Sequence, residues 1–157
     1  MRTLNILIDS STKPDKGVKS KYGRSSAFWC AIPDDINSTP CCMGVILRAK
    51  EGPNKIFYDG VISALVGCEK YRQWIIDVII KGDNEHVIKQ LKGEIETVQL
   101  KEYLVRTRDL ESKFLRKIAY EYIGESNPIY KKVDQLAKWT LNHVPLQYSK
   151  ARKAGHK

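Results

Sequence analysis

The chain has 157 residues, 42% of them hydrophobic, and a formal net charge of +9 from 27 basic and 18 acidic residues. That length suits one domain around one core, and no apolar run is long enough to span a bilayer. The opening MRTLNILIDSS lacks the length and small-residue cleavage site of a signal peptide, so a cytoplasmic, membrane-free protein is expected.

The basic excess favours a polyanionic partner such as nucleic acid. Of the four cysteines (Cys30, Cys41, Cys42, Cys68), none forms a CxxC pair and no histidine stands at ligand spacing from them. They read as reduced thiols rather than a zinc site.

TLNILID (3–9) is a short apolar run with β-branched residues, a strand. STKPDKGVKSKYGRSS is a loop rich in Pro, Gly, Ser and Lys. AFWCAIP (27–33) and CMGVILRA (42–49) are two more strands, and the turn clusters between the three predict an antiparallel meander. In DGVISALVGCEKYRQW, Val61, Ala64, Leu65 and Cys68 share one helical face. IIDVIIKG (75–82) is nearly continuous Ile and Val, as in a strand covered on both faces. NEHVIKQL places Val87, Ile88 and Leu91 at helical spacing, and LKEYLVRTRDLESKFLRK is a charged amphipathic helix with Leu100, Tyr103, Leu104, Leu110 and Phe114 as its apolar side. KIAYEYIG (117–124) alternates like a strand. KKVDQLAKWTLNHV is a final helix, stopped by Pro145.

The sum is an α/β domain over 1–145: a five-stranded mixed sheet, three antiparallel strands then two parallel, with helices on both faces. A basic tail over 146–157 follows it.

Asp9 follows NILI and Asp83 follows IIKG. If the first and fourth strands are parallel neighbours, their ends lie ~4.8 Å apart, at the sheet edge where ligands of α/β proteins sit. Two close carboxylates repel, and one takes a proton unless a cation lies between them. A hard cation such as Mg²⁺ resolves the conflict with oxygen ligands. Asp134, near the buried side of the last helix, is a third candidate. Taken singly, a strand-ending Asp is a turn former or helix cap, and Asp134 a solvated helix residue. Their joint placement favours a metal site.

Three segments carry a resemblance. GDNEHVIKQLKGEIE is similar to the strand-to-helix segment of type 1 ribonuclease H, KKVDQLAKW resembles that family's last-helix motif, and LNILIDSS its first strand. Order and spacing agree over about residues 3–142. The resemblance implies a ribonuclease H-like fold and an endonuclease, a phosphodiester hydrolase that cuts the RNA strand of RNA–DNA hybrids with two Mg²⁺ or Mn²⁺ ions. Asp9 would bridge them, Asp83 would share the activated-water side and Asp134 would hold the outer ion.

The family's glutamate at the start of the first helix falls on Asp59 or on Gly60 according to the alignment. Asp59 is the expected fourth catalytic and metal ligand; Glu69 lies over two turns further along. Where family members often carry a histidine before the last helix, this chain has Glu125 as a stand-in for product release. His86 reads as a surface or supporting residue. Substrate contacts are expected from Asn54 in the minor groove, where the RNA 2′-OH is presented. They are also expected from Asn84, unless it only caps its helix, and from Lys13, Lys16, Lys19, Lys21 and Arg24, through phosphates or as a solubilising loop. The nearest alternatives are a weakened or inactive nucleic-acid-binding module of the same fold, and a protein-interaction domain. Nothing argues for an obligate partner, so a monomer is expected.

Overall fold

The computed structural model describes residues 2–13, 23–124 and 126–143. Lys16, Lys19, Lys21, Glu125 and the tail lie outside them. Five strands form one sheet: β1 (Thr3–Lys13), β2 (Arg24–Pro33), β3 (Cys42–Ala49), β4 (Asp77–Gly82) and β5 (Ala119–Tyr122), in the order β3-β2-β1-β4-β5. β1–β2 and β2–β3 are antiparallel, and β1–β4 and β4–β5 are parallel. The expected mixed sheet is the one observed.

Four helices flank it: α1 (Pro53–Cys68), α2 (Glu85–Leu91), α3 (Lys101–Glu111) and α4 (Pro128–His143). Strand periodicity sorts the core. Leu4, Ile6 and Ile8 of β1 face the larger cluster, with Phe57, Val61, Ala64 and Leu65 of α1. Leu7 faces the other side, with Cys30, Ile32 and Val133 of α4. α1 and α4 therefore cover opposite faces. α3 is pinned through Arg108, which donates to the Leu91 carbonyl at 2.6 Å and pairs with Glu111, itself bonded to the Tyr120 hydroxyl of β5.

The boundaries differ in instructive ways. α1 starts at Pro53, six residues before the amphipathic run suggested. Gly52 is its N-cap and Pro53 occupies the first turn, where a missing N–H costs nothing. The same chemistry opens α4 at Pro128, where the Asn127 side chain accepts from Ile129 N at 3.0 Å. α3 stops at Glu111, so Phe114 packs on the core from beyond the helix. Among the described residues no helix is long and apolar enough to cross a membrane. The four cysteines are unbridged; Cys30 and Cys68 are buried, and burial pushes their thiols up to about 11 and 12.

Candidate active site

The parallel β1–β4 ladder ends on the pair Ile8–Gly82. The next residue on each strand is an aspartate: Asp83 leaves the sheet after β4, while Asp9, expected to end its strand, stays within β1, which runs on to Lys13 with Asp9 paired to Phe28 of β2. Gly82 is required there. A Cβ on it would stand 2.3 Å from Phe57 Cζ and 3.2 Å from the Ile8 carbonyl. The Phe57 ring, fully buried, thus closes the α1 side of this strand end.

Asp9 points to the opposite face, toward α4, following the alternation of β1. Only 1% of it is exposed. α4 brings Tyr130 and Asp134 to it from positions i and i+4, which share one helix face. The Tyr130 hydroxyl lies 2.9 Å from Asp9 Oδ1 and 3.1 Å from the Ile8 carbonyl, and it faces Asp83 as well. Burial and the two carboxylates push the phenol far above its ordinary range, so it remains a donor. Asp9 Oδ2 is buried with no hydrogen-bond donor.

Electrostatics bind the trio together. Burial, contact with Asp134 and the charge of Asp83 push the Asp9 carboxyl up to about 8, against the opposing bond from Tyr130. Asp134 is held below its ordinary value, first by its contact with Asp9 and further by Lys138, whose Nζ is 2.9 Å from Oδ2. Burial disfavours the charged form of Asp9, while contact with Asp9 and the Lys138 ammonium favour that of Asp134, so a proton shared by the two is favoured on Asp9. Tyr130, Lys131, Asp134, Gln135 and Lys138 line an adjoining cleft of about 300 Å³.

These residues fit a divalent cation by their chemistry: three oxygen donors, a surplus of negative charge and one buried oxygen lacking a partner. They are not a closed cage. Among the described residues, no three acidic, His or Cys side chains stand as a ready metal-ligand group.

Asp59 stands apart from the trio. The α1 residue that reaches the strand end is Phe57, and at 3.6 residues per turn a side chain two positions on points the other way. Asp59 Oδ2 is instead 3.8 Å from Arg48 Nε, and its carboxylate contacts Glu51. Gly60, the alternative position, packs on the sheet, where a Cβ would stand 3.0 Å from both Ala27 Cβ and Ile8 Cγ2. No other acidic residue lies on α1.

The expected substrate contacts are placed as follows. Asn84 caps α2, accepting from Val87 N at 3.0 Å, and its amide donates to Asn54 Oδ1 at 3.0 Å. The two asparagines form one polar link between the N-termini of α1 and α2. Lys13 Nζ donates to Asn142 Oδ1 at 2.7 Å and Arg24 Nη1 to the Leu141 carbonyl at 3.0 Å, so both clamp the end of α4. His86 accepts at Nε2 from the Gln90 amide at 2.9 Å, and Gln90 in turn accepts from Tyr58.

Two residues of the site escaped the sequence reading. Phe57 extends the α1 core face one turn back (57, 61, 64, 68), a signal that lies ahead of the run read from Asp59 onward. Tyr130 precedes Asp134 by four residues, the spacing that puts both on one face.

No protein-family model matches the sequence, and no curated protein matches it. Solved structures do. A ribonuclease H1 from the halophilic archaeon Halobacterium salinarum superposes with a TM-score of 0.72 at 20% identity, over 89% of this chain and 98% of that one. The N-terminal ribonuclease H domain of a Mycobacterium tuberculosis protein gives 0.67 at 18%, over 89% and 99%. A ribonuclease H1 isolated from compost, solved in complex with an RNA/DNA hybrid, gives 0.71 at 13%, over 88% and 96%. Likeness at these identities shows the fold: this chain has the ribonuclease H fold over most of its length.

Proposed function

We propose that this chain is a divalent-metal-dependent endonuclease that hydrolyses the RNA strand of RNA–DNA hybrids at Asp9, Asp83 and Asp134. The observation that carries the reading is Asp9. A carboxylate almost wholly buried, with one oxygen lacking a donor and two further aspartates beside it, opposes folding unless charge is supplied from outside. The shared fold with proteins named ribonuclease H1, one of them holding an RNA/DNA hybrid, supports the substrate class.

Asp9, Asp83 and Asp134 would hold Mg²⁺ or Mn²⁺, which would supply an activated water and charge stabilisation for the leaving oxygen. The chain's own residues prepare for this. Tyr130 fixes Asp9 Oδ1, leaving Oδ2 for the cation. Asp83, rigid at the strand end, defines the inner side. Asp134, on the helix and tied to Lys138, gives the outer carboxylate more freedom. The Asn54–Asn84 link stands beside Asp83 as the polar group to read a 2′-OH in the minor groove.

The test is cleavage of an RNA–DNA hybrid, duplex RNA and duplex DNA by purified protein in Mg²⁺ and in Mn²⁺. Hybrid-only cleavage that disappears in Asp83→Asn supports the reading. A second reading, a hybrid-binding module without hydrolysis, is favoured by one fact: α1 sends Phe57, and no carboxylate, toward the strand end. Binding without cleavage in either metal would establish it, and loss of all hybrid binding would leave a protein-interaction domain.

A further inference from the structure

The outer face of α4 is dressed in a way its packing does not require. The helix buries Tyr130, Val133, Ala137, Thr140 and Leu141. Trp139 lies outside that stripe with 58% of its surface exposed. It is nevertheless fixed. Its indole is stacked on the His143 ring, with centroids 4.5 Å apart and planes 13° from parallel. His143 Nδ1 donates to the Trp139 carbonyl at 2.8 Å, the carbonyl having no proton to give. The His143 ring covers one face of the indole, so the exposure belongs to the other face and the edges.

The surroundings are basic. Lys131 and Gln135 precede Trp139 at helical spacing along one ridge, and Lys138 adjoins it beside Asp134. Lys13 reaches the far end of the same face through Asn142. The acid among these residues is Asp134, already paired with Lys138. Five helical residues separate Asp134 from Trp139, about 7.5 Å along the axis and about 140° around it, with Lys138 and Lys131 on the arc between them.

We propose that the Trp139–His143 stack is a platform for an unpaired nucleotide that extends past the carboxylate trio, the base stacking on the open indole face and the phosphates facing Lys131, Lys138 and Lys13. The proposal rests on nucleic acid being the substrate class, and it adds a preference for hybrids that carry a single-stranded extension. Base–aromatic stacking tolerates any sequence, because every base has a π-face. Charge complementarity selects this occupant over an apolar protein surface.

Binding of the full chain to labelled oligonucleotides in EDTA tests it independently of cleavage. The probes are a blunt hybrid, the same hybrid with a three-nucleotide single-stranded extension on either end, and a bare single strand. Trp139→Ala should weaken the extended hybrid and the single strand by about 5- to 150-fold, the loss of one stacked base. The blunt hybrid should stay within about twofold, and Trp139→Phe should retain most of the affinity. Equal affinity of wild type and Trp139→Ala for every probe overturns the platform. So does an equal loss on blunt and extended hybrids, or a Trp139-dependent self-association at unchanged oligonucleotide affinity. A platform that survives in a protein that never cleaves would separate this proposal from the hydrolytic reading.

Discussion

Two partly buried carboxylate pairs among the described residues have nearly the same make-up. One is Asp9 with Asp134, at the β1–β4 end facing α4. The other is Glu51 with Asp59, at the corner between β3 and α1, where Lys50 takes a left-handed φ of 59°. In each, burial first and then the neighbouring carboxylate push one acid up to about 8. In each, a carboxylate oxygen is buried without a donor: Asp9 Oδ2 in the first, Glu51 Oε2 and Asp59 Oδ2 in the second. They differ in countercharge. Arg48 and Lys55 act on Glu51, and Arg48 stands 3.8 Å from Asp59. Asp9 has only the neutral Tyr130 hydroxyl, and Asp83 adds to its burden. The cation of the first pair, Lys138, sits on Asp134 and leaves Asp9 without one, whereas Arg48 and Lys55 act on Glu51 and Arg48 also stands by Asp59. On the proposed reading, what a metal ion would supply is the countercharge that Asp9 lacks, and clustering of carboxylates alone does not call for one.

The largest expected effect breaks the comparison at its centre. Asp9→Asn keeps the shape and the Tyr130 contact and removes the anion. Hybrid cleavage should fall by about 10³-fold, several kcal/mol at about 1.36 kcal/mol per decade. Glu51→Gln should leave cleavage within about threefold, because Glu51 contacts Asp59 and has the charges of Arg48 and Lys55 beside it, away from Asp9. A comparable loss in Glu51→Gln would merge the two clusters into one site.

Next come the residues that hold the strand end. Phe57→Ala empties a fully buried site beside Gly82 and should cost about 3–5 kcal/mol in urea unfolding. Gly82→Ala drives a Cβ into the same ring and should cost about 1–3 kcal/mol. If Phe57→Ala proved neutral, the ring would not be what shapes the β1–β4 terminus.

The pH dependence sharpens the contrast further. Asp9 and Glu51 both have folded pKa values raised above their unfolded ones. Without a cation, the folded chain binds the extra protons, so their contribution is full below about pH 4 and is lost as pH rises through about 8. The melting temperature of the chelated protein should therefore decline between pH 5 and 9, and Asp9→Asn and Glu51→Gln should each flatten part of the decline. Asp134, held low, acts in the opposite sense and only in acid. Mg²⁺ should restore stability in wild type and in Glu51→Gln but not in Asp9→Asn. Because a proton must leave Asp9 first, apparent Mg²⁺ affinity should rise about tenfold per pH unit from 6 to 8. Mg²⁺ rescue in Asp9→Asn would place the cation elsewhere.

The smallest effect concerns Asp59. Asp59→Asn removes one anion from the self-neutralised cluster and should change cleavage by less than about twofold. A tenfold loss would return Asp59 to the catalytic set.

Much of the architecture was legible because it rests on local pattern. The apolar runs of β1 and β4, the turn clusters of the meander and the helical stripe of α4 each carry their own period. Asp9 and Asp83 became candidates because each directly ends such a run, and Asp134 because its neighbours Val133 and Ala137 mark the buried stripe. Phe57 was not among the expected site residues because the helical run was read only from Asp59 onward, whereas α1 starts at Pro53. Without the first turn, the face of the helix that points at the strand end could not be phased.

The sequence by itself determined the strands, the helices and the apolar stripes beside which Asp9, Asp83 and Asp134 stand, since alternation, helical period and turn chemistry act within a few residues. Only the tertiary structure decided which carboxylates share an environment and which keep a countercharge. Tyr130 meets Asp9 across 121 positions, and Arg48 meets Asp59 across a corner. Those contacts follow from the register of β1 on β4 and the rotation of α1 about its axis, and electrostatics falls off with distance in space, not along the chain.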